Sequence, residues 1–192
     1  MSDQKLAVIF PGIGYHKDKP LLYYAAKMAV QHGYELISIE YHDMPQKIRG
    51  NSEMMHHAAE LAVSQSREAL QHIRLKEYDD ILLIGKSIGT IAAACWDFDC
   101  NARIRQIWYT PLEATFGRMT EQPCIAFLGE KDPWSDVSKV QASAEIQHIP
   151  LHIYPDCNHS LECCDVMQNL SVLSDVIQKT EHFLKESFSQ QS

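Results

Sequence analysis

The sequence predicts an α/β protein: a doubly wound, mainly parallel six-stranded sheet with helices on both faces. Two observations lead there. Apolar runs of strand length alternate with longer segments of helical period, the pattern of a parallel sheet built from β-α-β units. Those runs are almost continuously apolar, as strands covered on both sides must be. At 192 residues and 45% hydrophobic content the chain can bury one core of ordinary size. No internal repeat, low-complexity block or Pro/Gly/Ser linker marks a seam, so a single domain over 1–192 is expected.

Residues 5–10 (KLAVIF) read as the first strand. Pro20 opens a helix, since proline at the first helical position gives up only an N–H that would lack a partner there. His32-Gly33 closes it, glycine tolerating the positive φ of the residue past a helix end. The second strand is 35–40 (ELISIE), and a long helix follows Asn51-Ser52. The remaining strands are 80–84 (DILLI), 104–109 (IRQIWY), 124–128 (CIAFL) and 151–154 (LHIY). In the last helix Val166, Leu170, Leu173 and Ile177 fall at i, i+4, i+7 and i+11, one apolar stripe expected to pack on the sheet. The polar tail Ser187–Ser192 is expected to fray.

A formal charge of −8, from 25 acidic and 17 basic residues, argues against a nucleic-acid surface, which needs clustered Lys and Arg. Only the short apolar run Leu6 to Phe10 precedes Pro11, too little for a secretory segment, and no run approaches the roughly 18 apolar residues of a membrane span. A cytoplasmic protein without a membrane partner is expected. Its six cysteines then read as free thiols. A zinc site from Cys157, His159, Cys163 and Cys164 lacks the paired C-x-x-C spacing such sites show, so neither metal nor cofactor is expected.

The third strand ends in Gly85-Lys86-Ser87. A phosphate-binding loop would need a glycine at position 80, where the chain has Asp, and a pliable cradle where it has Ile81-Leu82-Leu83-Ile84. The same residues satisfy G-x-S-x-G as Gly85-Lys86-Ser87-Ile88-Gly89, directly after a buried strand and before the helical pattern Thr90-Ile91-Ala92-Ala93-Ala94. Such a turn lifts a serine above the carboxyl edge of a sheet, next to free N–H groups at a helix start. The alternative is a glycine-rich turn with an inert serine.

A reactive serine needs a histidine base and an acid to orient it. Parallel strands put two candidate loops at the same edge: Gly129-Glu130-Lys131-Asp132-Pro133-Trp134 after the fifth strand, and Pro155 to Glu162 after the sixth. Of the ten histidines, only His159 combines a loop position with a preceding strand. Asp136 and Asp156 rival Asp132, although Asp156 stands only three residues from His159.

With the elbow GKSIGT, the acid loop LGEKDPW and the histidine loop NHSLE, the chain resembles the α/β-hydrolase superfamily over nearly its whole length. The resemblance implies Ser87 as nucleophile, Asp132 as acid and His159 as base, in that chain order. It implies oxyanion donors at the N–H of Ile88 and in the loop Phe10-Pro11-Gly12-Ile13-Gly14-Tyr15. That loop is similar to the family's His-Gly-x-Gly loop with Pro11 in place of His. Ile13 is the aligned donor, with Gly12 and Gly14 as alternatives and a plain glycine turn as the other reading.

Only Thr110 to Pro123 separate the fourth and fifth strands, too few residues for a cap, so the expected enzyme is a minimal, lidless core. It would cleave esters or thioesters of small, accessible acyl groups. Tyr109, Pro111, Leu112, Phe116 and Trp134 are candidate apolar walls, with Gly12, Gly14, Tyr15 and Lys86 also near the pocket. The stem of Lys86 is expected to cover apolar surface while its charge reaches water; a bias toward anionic substrates is the alternative. A catalytically silent binding module, a peptidase or an acyltransferase would share this sequence pattern. Nothing in it sets the oligomeric state.

Overall fold

The computed structural model describes residues 4–98, 104–117 and 122–185. Six parallel strands form one sheet in the order β2-β1-β3-β4-β5-β6: β1 (Lys5–Phe10), β2 (Glu35–Ser38), β3 (Asp80–Lys86), β4 (Ile104–Tyr109), β5 (Cys124–Gly129) and β6 (Leu151–Tyr154). Five helices complete it: α1 (Pro20–Gln31), α2 (Ser52–Leu70), α3 (Ile88–Phe98), α4 (Val137–Ile146) and α5 (Val166–Lys185). Cys100 and the tail Ser187–Ser192 lie outside the described residues.

The strand period of two sorts the core into layers. Ala7, Ile9, Leu82, Ile84, Ile107 and Phe127 face α1 and α5, meeting Leu22, Ala25, Val176 and Phe183. Their neighbours Leu6, Val8, Phe10, Ile81 and Leu83 face α2 and α3. Trp108, Ala126 and Leu128 meet Val140 and Ala144 of α4. Pro20 stands at the first position of α1, and the Asn51 side chain caps α2 by accepting from the Met54 N–H at 3.0 Å.

The structure departs from the sequence expectation at three strand ends and in the last helix: β2 stops at Ser38 rather than at residue 40, and β5 runs one residue further, to Gly129. β3 runs two residues further, because Gly85 and Lys86 still pair with Trp108 and Tyr109 of β4. The strand therefore delivers the chain straight into Ser87. In α5, Val166 and Leu170 are 70% and 54% exposed, so the upper half of the expected stripe does not pack on the sheet. The stripe has the right phase but sits lower on the helix: Leu173 and Ile177 join Val176, Thr180, Phe183 and Leu184 against the core. The first turn of α5 stands outside the layer formed by the sheet and α1.

The chain leaves β1 for β2 on one side and then crosses to β3 on the other. Parallel sheets open a crevice at the carboxyl ends of the strands where direction reverses in this way. The loops after β1 and β3 flank that crevice. Among the described residues, no helix is long and apolar enough to cross a membrane, and no group of three or more His, Cys, Asp or Glu side chains could hold a metal ion. Cys95, Cys124, Cys157, Cys163 and Cys164 are unbridged.

At the opposite edge a polar knot ties the layers together. Arg105 of β4 donates to Asp80 of β3, to the Tyr34 hydroxyl and, at 3.2 Å, to the Leu184 carbonyl of α5. Tyr34 in turn donates to Asp80 at 2.6 Å. Losing one member of a largely buried charge pair strands the other. Arg105→Met should cost about 2 kcal/mol, less than a fully buried pair, because the Asp80 side chain keeps 26% of its exposure. Urea unfolding checks this, and an unchanged midpoint would show that the knot contributes nothing.

Candidate active site

Ser87 follows β3 directly and has φ +55°, a left-handed conformation unfavourable for a side-chain-bearing residue. The turn is held from both sides. Its N–H donates to the Tyr109 carbonyl at 3.0 Å, and its carbonyl accepts from the Thr90 N–H at 2.9 Å and the Thr90 hydroxyl at 2.6 Å. A β-carbon at Gly89 would stand 2.1 Å from the Phe10 carbonyl oxygen, and one at Gly85 would stand 2.7 Å from Thr90 Cα. Only glycine lets the start of α3 press this closely on the ends of β1 and β3.

The loop after β6 closes on itself. Asn158 Oδ1 accepts from the N–H groups of Ser160 at 2.7 Å and Glu162 at 3.2 Å, which leaves His159 at the tip. The loop after β5 is tied to it where the Lys131 N–H donates to the Cys157 carbonyl at 2.9 Å. Asp132 lies one step further on, its Oδ1 held by the Trp134 N–H at 2.9 Å.

These three loops bring Ser87, His159 and Asp132 into series. His159 Nε2 is 2.7 Å from Ser87 Oγ, and His159 Nδ1 is 2.7 Å from Asp132 Oδ2. The carboxylate can only accept, so Nδ1 carries the proton and Nε2 is left to accept from the serine hydroxyl. Asp132's side chain is fully buried and that of His159 keeps 16% of its exposure. Burial pushes the His159 pKa below the ordinary histidine value, Asp132 pulls it back up, and the Lys86 charge lowers it further. The rival acids are occupied elsewhere: Asp136 caps α4, and Asp156 pairs with Lys131.

Lys86 corrects an expectation. Its side chain does not carry the charge out to water: the residue is 1% exposed and Nζ donates to the Thr110 hydroxyl at 2.6 Å. It also stands 4.8 Å from the centre of the Tyr15 ring. As a β3 residue still paired in the ladder, it points into the protein rather than along the surface. Burial lowers its pKa to about 7.

In the loop after β1, Gly12 and Tyr15 exchange backbone hydrogen bonds of 3.2 Å, which uses the Gly12 N–H. Among the described residues the N–H groups of Ile13 and Gly14 have no such partner. Ile88 opens α3, so its N–H has no intrahelical acceptor either.

A cleft of about 670 Å³ surrounds Ser87. Ile13, Gly14, Tyr15, Lys86, Ile88, Leu112, Trp134 and His159 line it, with the Trp134 and His159 rings 5.7 Å apart. Gly12 and Pro111 do not line it. Gly12 packs beneath the serine, where a β-carbon would meet Ser87 Cβ at 3.2 Å, and Pro111 is buried with its carbonyl accepting from Ser135. Tyr109 and Phe116 are core residues rather than walls, stacked on Phe127 and set edge-on to Trp108. Sequence reasoning missed Lys19, Met55 and the segment 45–49, all of which reach the cleft. The signal available for 45–49 was topological: every loop that follows a parallel strand opens at the same edge.

The same architecture occurs in known structures. The chain has the α/β-hydrolase fold. A lidless α/β serine hydrolase from Xanthomonas campestris superposes with a TM-score of 0.67 at 15% identity, over 96% of this chain and 83% of that one. A serine hydrolase homologue from Coxiella burnetii gives 0.65 at 14% identity, over 92% and 84%. An esterase from Pyrococcus furiosus gives 0.62 at 13% identity, over 96% and 82%. No family model and no curated protein matches the sequence. At these identities the likeness is one of α/β-hydrolase fold, and the function must be argued from the residues at the carboxyl edge.

Gly89→Ala tests the close approach. The added methyl overlaps backbone that cannot swing aside, so α3 must back away, at a cost of about 3 kcal/mol. Chemical denaturation should show that loss, and wild-type stability would mean that the approach is not tight.

Proposed function

We propose that the protein is a serine hydrolase that cleaves carboxylic esters or thioesters through an acyl-enzyme on Ser87. The observation that carries this reading is the unbroken hydrogen-bond series from Ser87 Oγ through His159 to buried Asp132. A serine turn strained to positive φ at the carboxyl edge supports it, as do fold neighbours named as serine hydrolases and an esterase.

In this reading His159 Nε2 takes the hydroxyl proton as Ser87 Oγ forms its bond to the substrate carbonyl carbon. The carbonyl electron pair moves onto oxygen, where the free N–H groups of Ile88 and Ile13 receive the negative charge. When the tetrahedral intermediate collapses, the bond to the leaving group breaks and the imidazolium gives that group its proton. Water then repeats the sequence on the acyl-enzyme: His159 accepts a water proton, hydroxide adds to the carbonyl, and Ser87 leaves reprotonated. Asp132 holds the tautomer and stabilises the transient imidazolium. The steps balance with side chains and water alone. The short β4–β5 connection leaves the cleft open, which suits small or accessible acyl groups; we place this activity in a single cytoplasmic domain.

Purified protein should release p-nitrophenol from short acyl esters and be labelled by a fluorophosphonate probe. Ser87→Ala should do neither, with turnover at least about a thousandfold down. Equal rates in the two proteins would reject the mechanism, and a folded but unlabelled wild type would favour a silent binding module.

The proton state of His159 sets the pH profile. Only neutral imidazole accepts a proton, so the rate rises with pH through the histidine's pKa in the enzyme. Burial and the Lys86 charge lower that pKa, so half-maximal rate should fall below the ordinary value of about 6.5. Lys86→Met deletes a nearby cation and should move this acid limb to higher pH. A shift toward acid would refute the assigned electrostatics.

A further inference from the structure

The cleft around Ser87 is cationic in a protein that is acidic overall. Lys19, Lys47, Arg49 and Lys86 line it, and among the described residues no Asp or Glu does, although the chain has 25 acids and 17 bases. Asp132 and Glu162, which do not line the cleft, act on Lys86 from outside it, so the uncompensated positive charge is that of Lys19, Lys47 and Arg49. Among the described residues no ion pair involves Lys19, Lys47 or Arg49. Lys19 and Lys86 even share one aromatic ring, with Nζ 5.2 Å and 4.8 Å from the centre of Tyr15. With no carboxylate among the described residues that line the cleft, Lys19, Lys47 and Arg49 leave a field that an incoming anion would satisfy.

The strand order gives this field a direction. Lys19 follows the loop after β1, and Lys47 and Arg49 come from the loop after β2, so these cations stand on the β2-β1 side of Ser87. Leu112, Pro133 and Trp134 come from the loops after β4 and β5 and make an apolar wall on the other side. A ligand lying across the serine would meet apolar surface at one end and positive charge at the other. Lys86, buried, bonded to Thr110 and acted on by Asp132 and Glu162, does not reach the ligand.

We propose that the substrate is an anionic ester or thioester, its apolar end against Leu112 and Trp134 and its carboxylate or phosphate group toward Lys19, Lys47 and Arg49. This inference rests on Ser87 being the nucleophile. Each of these solvent-reached cations, half-buried Lys19 and exposed Lys47 and Arg49, would alone add little to binding. Together, lining one side of a cleft, they raise the local concentration of anions and hold the scissile carbonyl in register. The charge could belong to the acyl part or to the leaving group.

Two pairs of substrates separate those sources. The glutarate half-ester of p-nitrophenol against the neutral valerate ester puts the carboxylate on the acyl side. The butyrate ester of 2-hydroxyethyl phosphate against that of ethylene glycol puts the anion on the leaving group. In at least one pair, kcat/KM should favour the anion on the order of tenfold at low ionic strength. The preference should shrink toward unity near 1 M salt, where the screening length falls to about 3 Å. The Lys47→Gln/Arg49→Gln double variant should lose it, whereas Lys76→Gln, on the 3₁₀ turn before β3, should retain it. Ratios of unity in both pairs, or a preference intact in the double variant, overturn the proposal. Ser87-dependent cleavage without preference would remove only the substrate class. If no ester is cleaved and Ser87 is not labelled, the hydrolase reading itself falls. Calorimetric binding of each pair to Ser87→Ala then decides separately: tighter binding of the anionic member upholds a cationic cleft, and equal binding refutes it.

Discussion

The carboxyl edge of this protein depends on one close approach: α3 starts against the last carbonyls of β1 with no side chain between them. Phe10 and Pro11 supply oxygens that a β-carbon at Gly89 could not avoid, and Gly85 gives the same clearance to Thr90. Because α3 cannot recede, the single residue between strand and helix must turn sharply, and Ser87 takes a backbone conformation it would not choose alone. The hydrogen bonds of Thr90 to Ser87 and to Thr115 hold that turn from the helix side.

Once the serine is fixed, burial governs its partners. Asp132 is sealed, so its charge acts through little solvent and keeps His159 in a single tautomer. Lys86 works in the opposite sense. It sits in the core because β3 is still a strand there, and its positive charge discourages protonation of the imidazole that Asp132 would otherwise favour. The balance leaves the histidine neutral near pH 7, the state in which it can accept a proton.

Much of this was legible in the sequence because the signals were local. Apolar runs marked all six strands, Pro20 and Asn51 marked helix starts, and G-x-S-x-G between strand and helix marked the turn at Ser87. Parallel topology then carried Asp132 and His159 to the same edge, where they meet the serine. What could not be read depended on contacts between distant segments. A lysine in a strand's last residue looks solvated until the neighbouring strand is known to cover it. Val166 and Leu170 fall on the helical period of α5, but where the sheet layer ends is set by α1 and β6 rather than by the helix. Segment 45–49 carries no motif, so only the assembled cleft shows that it forms a wall.

The Ser87 N–H bonds to Tyr109 as though the ladder had one more rung, so Ser87 belongs mechanically to the most central strands of the sheet. Two of the three cations on that side of the cleft, Lys47 and Arg49, by contrast, hang on a connection between β2 and α2 that contributes no strand. The proposed chemistry and the proposed selectivity therefore rest on separable parts of the chain. Under the proposed function, substitutions or changes of length in that connection would alter which molecules are admitted while the turn at Ser87 stays as it is, a division by which one scaffold could take new substrates without rebuilding the machinery that cuts them.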